Sequence, residues 1–410
     1  MRVPHFIRHV DWLDRPARRL VRDASTTHQL LSCNIMSMKV VNPSKGSESA
    51  GNSASFSSSG GTLKFKGCAH FRQRLICATL SGRRIRIDNI RGDSEEPGIT
   101  EFEANFLRLL DSITNGSQIE INETGTVLKY TPGFIVGGTI EHDCGTKRAI
   151  GWFLEALVAL APFAKRPLVA TLKGITNDDV DASVDFFKAV TIPLIKQFGL
   201  DEGLDFKVKK RGAPPLGGGE VIFRCPTVRQ LKSIHLIDEG FIKRIRYVHA
   251  LCRRHIHIIS SPGYALSLVA ESTTGVLLGA ETAATSGSLP EDVASMASHL
   301  LCEEIQKGGC VDTSNQCLAL LLMTLSPEDV SKVRFGKLTP YRYTFNPPIP
   351  LCLPTWSTQC NYSYRYSMQY LRHLRDFFGV TFKIKADHDS KSVLLSCLGI
   401  GFKNLSKKVT

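Results

Sequence analysis

A pattern of amphipathic helix, strand, second helix and hairpin recurs along this chain and constrains its fold more than any other feature. In the first copy the spacing predicts a helix over 69–80, a strand over 84–90, a helix over 100–113, and strands within 118–130 that turn at Thr124-Gly125. The second copy sets helices near 146–160 and 181–198 among strands at 167–173, 205–211 and 219–224. The third brings a hairpin, Leu266 to Glu271 and Val276 to Glu281 about Thr274-Gly275. It continues with helices 290–306 and 312–325 and strands near 330–334, 380–385 and 392–398. Helices and strands in such alternation bury their apolar faces in layers, so the expected class is α/β (α+β), with three related α/β units on one core.

Three stretches break the pattern. Residues 45–62, rich in serine and glycine, bury too little apolar surface to offset chain entropy, so 1–62 is expected to be a disordered leader. Residues 346–369, rich in proline and aromatic residues, show neither period and read as an inserted loop. Residues 247–262 are short and histidine-rich, with little room for structure.

The run Arg211-Gly212-Ala213-Pro214-Pro215-Leu216-Gly217-Gly218-Gly219 enters the strand Glu220-Val221-Ile222-Phe223. Three adjacent glycines carry no Cβ, so the backbone can adopt positive φ and accept a close neighbour, either a phosphate or another stretch of backbone. Arg211 supplies matching charge. The formal net charge is +13, and the basic residues are scattered through structured segments, which points to nucleic acid rather than a membrane surface. The twelve cysteines include no Cys-x-x-Cys pair, a pattern suited to reduced intracellular thiols. Cys252, His255 and His257 are the one metal-like cluster and lack a fourth ligand, so no metal is expected.

The glycine run closely resembles the signature of the RNA 3'-terminal phosphate cyclase family, and further marks follow in the same order. They are Ile90-Arg91 with Pro97-Gly98, Tyr130-Thr131-Pro132-Gly133, Gly137-Gly138 with Gly145-Thr146, and Gly174-Ile175-Thr176-Asn177. Ser183-Val184-Asp185, Pro193-Leu194 and Gly308-Gly309-Cys310-Val311-Asp312 complete the set. The resemblance implies a large domain of three related units interrupted by a small inserted domain. It divides the chain into 63–246 and 263–410 as the two parts of the large domain, with 247–262 a remnant of the small one. The short remnant, the leader and the loop at 346–369 are foreign to the family and suggest an alternative transcript or an imperfect gene assembly.

Departures from the family decide the expected function. Active cyclases open with an acidic residue, glycines and a Gln-Ile-Leu-Arg run, whereas here the place reads Lys66-Gly67-Cys68-Ala69-His70-Phe71-Arg72-Gln73 and only Arg72 survives. Cyclases also use a histidine nucleophile after a Gly-x-Leu-Thr-like segment; in Gly336-Lys337-Leu338-Thr339-Pro340-Tyr341 its position is held by Tyr341, a phenol with little anionic form at neutral pH. The combination resembles the cyclase-like branch, which implies a nucleolar, non-cyclase protein of ribosome biogenesis. Such a protein acts in early pre-rRNA processing in the small-subunit processome, with pre-rRNA, small nucleolar ribonucleoprotein and a ribosome-assembly GTPase as partners and no membrane. No cofactor and no catalytic residue are expected.

The retained parts would form a phosphate or RNA site: Arg72, Arg91 and Arg211 as charges, Gly217, Gly218 and Gly219 as a backbone cradle, and Gly145 and Thr146 at a helix N-terminus. For Gly137-Gly138, tight packing is an equal explanation. An alternative is an endoribonuclease using Arg372, His373 and Arg375 on one helix, although His373 belongs to another face than the two arginines and reads as a surface residue. A residual ATP-dependent cyclase is the third option.

Overall fold

A computed structural model of the chain describes residues 61–252, 263–285, 287–336, 356–387 and 392–404. The expectations for residues 1–60, for His255 and His257, and for Tyr341 lie outside the described residues.

The first unit runs β1 (Leu63–Lys66), α1 (Phe71–Ser81), β2 (Ile85–Asp88), α2 (Glu101–Ile113), a short β3 (Thr114–Asn115), β4 (Gln118–Ile121), β5 (Leu128–Thr131) and β6 (Phe134–Ile135). The second runs β7 (Gly137–Asp143), α3 (Ile150–Leu160), β8 (Arg166–Gly174), a helix formed by α4 (Val184–Phe186) and α5 (Ile192–Gln197), β9 (Asp205–Lys210) and β10 (Gly219–Cys225). Between α4 and α5 the backbone widens into a π-turn, Phe187–Thr191, just before Pro193, whose ring and missing N–H disfavour regular α-helical bonding to the preceding turn. The third unit opens with β11 (His235–Leu236) and then leaves the pattern for β12 (Ile242–Cys252), β13 (Gly263–Ser272), β14 (Leu277–Ala283) and α6 (Pro290–Lys307). It resumes with α7 (Gln316–Leu325), β15 (Val330–Phe335), α8 (Trp356–Phe378), β16 (Lys383–Asp387) and β17 (Ser392–Leu398).

Each unit builds a four-stranded sheet of one topology. The orders are β1-β2-β5-β4, β7-β8-β10-β9 and β11-β15-β17-β16. In each, the first two strands pair parallel across a helical crossover and the last two add antiparallel. The three-unit α/β expectation therefore holds. Two regions differ most from expectation. The predicted hairpin of the third unit belongs to a separate sheet, β12-β13-β14, and β12 carries strand structure through 247–252. Residues 356–369, read as loop, lie in α8, whose tyrosine-rich sequence hides a long amphipathic helix.

The crossover helices form the centre of the molecule. All residues of α3 and α7, and Phe71 through Leu80 of α1, are buried. For α3 and α7 the composition explains this, because a helix apolar on every side belongs inside a core. Helix α1 instead carries Arg72, Gln73 and Arg74 inward. Arg72 is 3% exposed, forms an ion pair with Glu155 of α3 and donates to the Trp152 carbonyl oxygen at 2.6 Å. Its guanidinium also lies 4.9 Å from the centre of the Trp152 ring.

Losing one member of a buried pair strands the other charge, so Arg72→Ala is expected to destabilise the fold by about 3–5 kcal/mol in urea unfolding. The double variant Arg72→Met/Glu155→Leu should recover most of that loss, because it removes both charges and retains volume.

Candidate functional site

The sequence-predicted glycine run meets two other loops at the carboxyl ends of the parallel strands β7 and β8. The segments are 144–149 after β7, 175–183 after β8, and 211–219 leading into β10, which pairs with β8 from Gly219 opposite Gly174. Backbone bonds zip them together. The Thr176 amide donates to the Gly212 carbonyl at 2.8 Å, its hydroxyl donates to the same oxygen at 3.0 Å, and the Gly212 amide donates to that hydroxyl at 3.2 Å. Close approach explains the glycines: a Cβ on Gly212 would stand 2.3 Å from the Gly219 nitrogen, and one on Gly219 would stand 2.5 Å from Thr176 Cγ2. Gly217 and Gly218 hold φ of 67° and 83°, the left-handed region.

Charge is balanced within this cluster. Arg211 donates to both carboxylate oxygens of Asp185, at 2.5 and 2.8 Å, and Asn177 donates to the same carboxylate at 3.2 Å. Arg148 grips Asp181 in the same two-pronged way, and Asp181 also accepts from the Ala149 amide at 3.0 Å. Ala149 is the N-cap of α3, so the helix starts four residues later than Thr146 and its first positive end is already met by a protein carboxylate. Asp178 accepts from the Val180 and Asp181 amides, yet burial, reinforced by the Asp181 charge, pushes its carboxyl up to about 7.

The other sequence-predicted site residues also have protein surroundings of their own. Arg72 is a core residue committed to Glu155. Arg91 donates to both oxygens of Glu103 at 2.7 Å, and Glu103 closes the capping box of α2 with Thr100. Gly145 and Thr146 lie in the loop ahead of α3, with the Gly145 amide donating to Asp143 Oδ1. Gly137 and Gly138 form an irregularity that opens β7, where a Cβ on Gly137 would meet the Arg166 carbonyl at 2.3 Å, so packing accounts for Gly137, while Gly138 holds a φ of 100°. Arg372 and Arg375 are exposed on α8 while His373 is 5% exposed on its inner face, which keeps the proposed nuclease trio apart. The carboxylates Glu103, Glu155, Asp181 and Asp185 organise these regions, and the sequence signal for them was limited to Asp185, which sits inside a family mark.

The family model for RNA 3'-terminal phosphate cyclase matches residues 63–384. The chain belongs to this family. It is 47% identical to an RNA 3'-terminal phosphate cyclase-like protein of Dictyostelium discoideum over 392 positions, covering 84% of this chain and 99% of the relative. The human RNA 3'-terminal phosphate cyclase-like protein is 44% identical, over 84% of this chain and 98% of its own length. The rRNA processing protein rcl1 of Schizosaccharomyces pombe is 35% identical, over 86% and 99%. Because 84% of 410 residues is well short of 392 aligned positions, several tens of the Dictyostelium relative's positions have no counterpart here.

In this member of the cyclase family the loop from β1 to α1 ends in an aromatic and histidine cluster. His70, the N-cap of α1, holds a left-handed φ of 56°. Its ring lies 5.1 Å from the His373 ring and 6.1 Å from Tyr370, and His373 lies 5.1 Å from Phe65. Burial, aided by the positive charge of Arg74, holds the His373 imidazole down at about 3. Burial and the neighbouring His373 and Arg74 hold His70 at about 2. His373 was expected at the surface; the apolar inner face of α8 carries it into the core instead.

Both histidines are neutral in the folded protein while the unfolded chain titrates near 6.5, so stability is full above that value and falls as pH drops toward the folded values. Each histidine should cost about 1.4 kcal/mol per pH unit below ~6.5, and His373→Phe should flatten the pH dependence of the urea midpoint between roughly pH 6 and 4. Gly219→Ala should lower stability by about 1–3 kcal/mol through overpacking against Thr176, measured in the same titration.

Proposed function

We propose that this protein is a non-cyclising, RNA-associated factor of ribosome biogenesis that serves early processing of the precursor to small-subunit rRNA. The observation that carries this reading is the commitment of Arg72, Arg91 and Arg211 to Glu155, Glu103 and Asp185. Guanidinium groups already paired with a carboxylate, through both oxygens for Arg91 and Arg211, are poor candidates for gripping a nucleotide's phosphates, because an incoming anion must first displace a fixed one. Tyr341 at the nucleophile position points the same way. The names of the relatives, cyclase-like proteins and an rRNA processing protein, supply the pathway.

In this proposal the protein works in the nucleolus within the small-subunit processome, beside pre-rRNA, small nucleolar ribonucleoprotein and a ribosome-assembly GTPase. Its net charge of +13 favours RNA through phosphate contacts that position without reading sequence. Residues 247–262 stand where the family carries its small domain, and the protein acts with that domain largely missing.

Incubation of the purified chain with 3'-phosphate RNA, ATP and Mg²⁺ is expected to give salt-sensitive binding with unaltered RNA ends and an intact backbone. A cyclic phosphate end, a covalent AMP adduct or internal cleavage would each overturn the proposal.

A further inference from the structure

Strand β12 is the outer strand of the sheet β12-β13-β14, paired to β13 along one side from Ile242 to Cys252. Its other side has no strand partner among the described residues. An edge this long presents a row of backbone donors and acceptors, which proteins normally blunt or cover. Here only ten residues connect β12 to β13 in the sequence.

The side chains along this edge are apolar to a degree unusual for a solvated strand. Ile245 is 56% and Tyr247 is 69% exposed, and Phe241, just ahead of the strand, is 84% exposed. Ile245 lies across from Ala270 and Tyr247 across from Leu268, so they extend the sheet face on which Ala270, Leu278 and Ala280 cluster with Leu301 of α6. The helix covers β13 and β14 and leaves this strip open. His249 continues the strip, its ring 6.3 Å from that of Tyr247.

Charge selects among occupants. From Ile242 to Cys252 the strand carries Lys243, Arg244 and Arg246 and no acidic residue. Arg244 and Arg246 share a single carboxylate, Glu271, and Lys243 makes no ion pair among the described residues. A second copy of this chain would bring the same cations to the edge and be repelled. Single-stranded RNA would satisfy the cations, yet it would leave the backbone edge unpaired and gain little from the Ile242 and Ile245 side chains. An extended polypeptide with alternating apolar and acidic residues matches all three properties at once: main-chain pairing, an apolar strip and positive charge.

We infer that β12 is a docking edge for an extended acidic segment of a partner protein, added to the sheet as a fourth strand. The test uses the full chain and a capped peptide of alternating valine and glutamate, about twelve residues long so as to span a strand of this length. Its valine–lysine counterpart and an oligouridine RNA serve as the other arms. The acidic peptide is expected to slow hydrogen exchange across residues 242–250 and to bind in a fluorescence anisotropy titration. Lys243→Glu should weaken that binding by about 5–10-fold and more steeply at low salt. Tyr247→Ala should weaken it as well while leaving the thermal midpoint unchanged, since the ring is mostly in solvent.

Absence of protection in β12 with the acidic peptide would overturn the inference, as would equal protection by the lysine peptide. Protection of the same amides by the RNA alone would reassign the edge to nucleic acid. Self-association in sedimentation that Tyr247→Ala abolishes would reassign it to a second copy. If the RNA fails to bind anywhere on the chain, the functional proposal above suffers and the docking edge does not.

Discussion

The ion pair between Arg72 and Glu155 lies where the first crossover helices of two units meet, and it is what allows a charged side chain to be buried there. Helix α1 can carry its inward arginine into the core because the guanidinium finds a carboxylate, a carbonyl and the face of Trp152 there. Without them a buried guanidinium would cost several kcal/mol in lost hydration. Cys317 of α7 is close enough to feel both charges, and burial together with the Glu155 carboxylate drives its thiol strongly upward, so all three units converge on this point. A centre built this way ties three sheets of one topology into a single core.

The same device recurs outward from the centre. Arg148 is held by Asp181, Arg211 by Asp185 and Arg91 by Glu103, each through both carboxylate oxygens. Each pair ties a loop to the start of a helix: Asp181 meets the first turn of α3, Glu103 caps α2 from within, and Asp185 sits in the first turn of α4. A loop cluster at the carboxyl ends of parallel strands is where α/β proteins commonly place ligands. In this chain the cations of that cluster, Arg148 and Arg211, pair with carboxylates of the neighbouring loops.

Much of the fold was legible in the sequence because helices of ten or more residues and hairpins with Thr-Gly turns have strong periodic signals. Among the strands that escaped notice were β1, β7 and β11, the first strand of every unit. Each is an outer strand of its sheet; β1 has four residues, β11 has two, and β7 alternates in polar residues after an opening glycine bulge. Short or polar edge strands exist by pairing with a neighbour distant in sequence, and no local pattern encodes that pairing. Helix α8 escaped in part for the opposite reason, since its run of tyrosines and serines at 356–369 resembles loop composition more than helix composition.

The order of glycine, proline and charged marks along the chain fixed the family and the three-unit α/β plan, since those residues set the turns and periods from which each unit is built. The roles of the charged residues were decided only by the tertiary structure. Whether Arg72, Arg91 or Arg211 faces a ligand or a carboxylate depends on which residues the fold brings within about 3 Å, and their partners stand 83, 12 and 26 positions away along the chain. A period tells which face of a helix is apolar; it does not tell which acid waits on the other side.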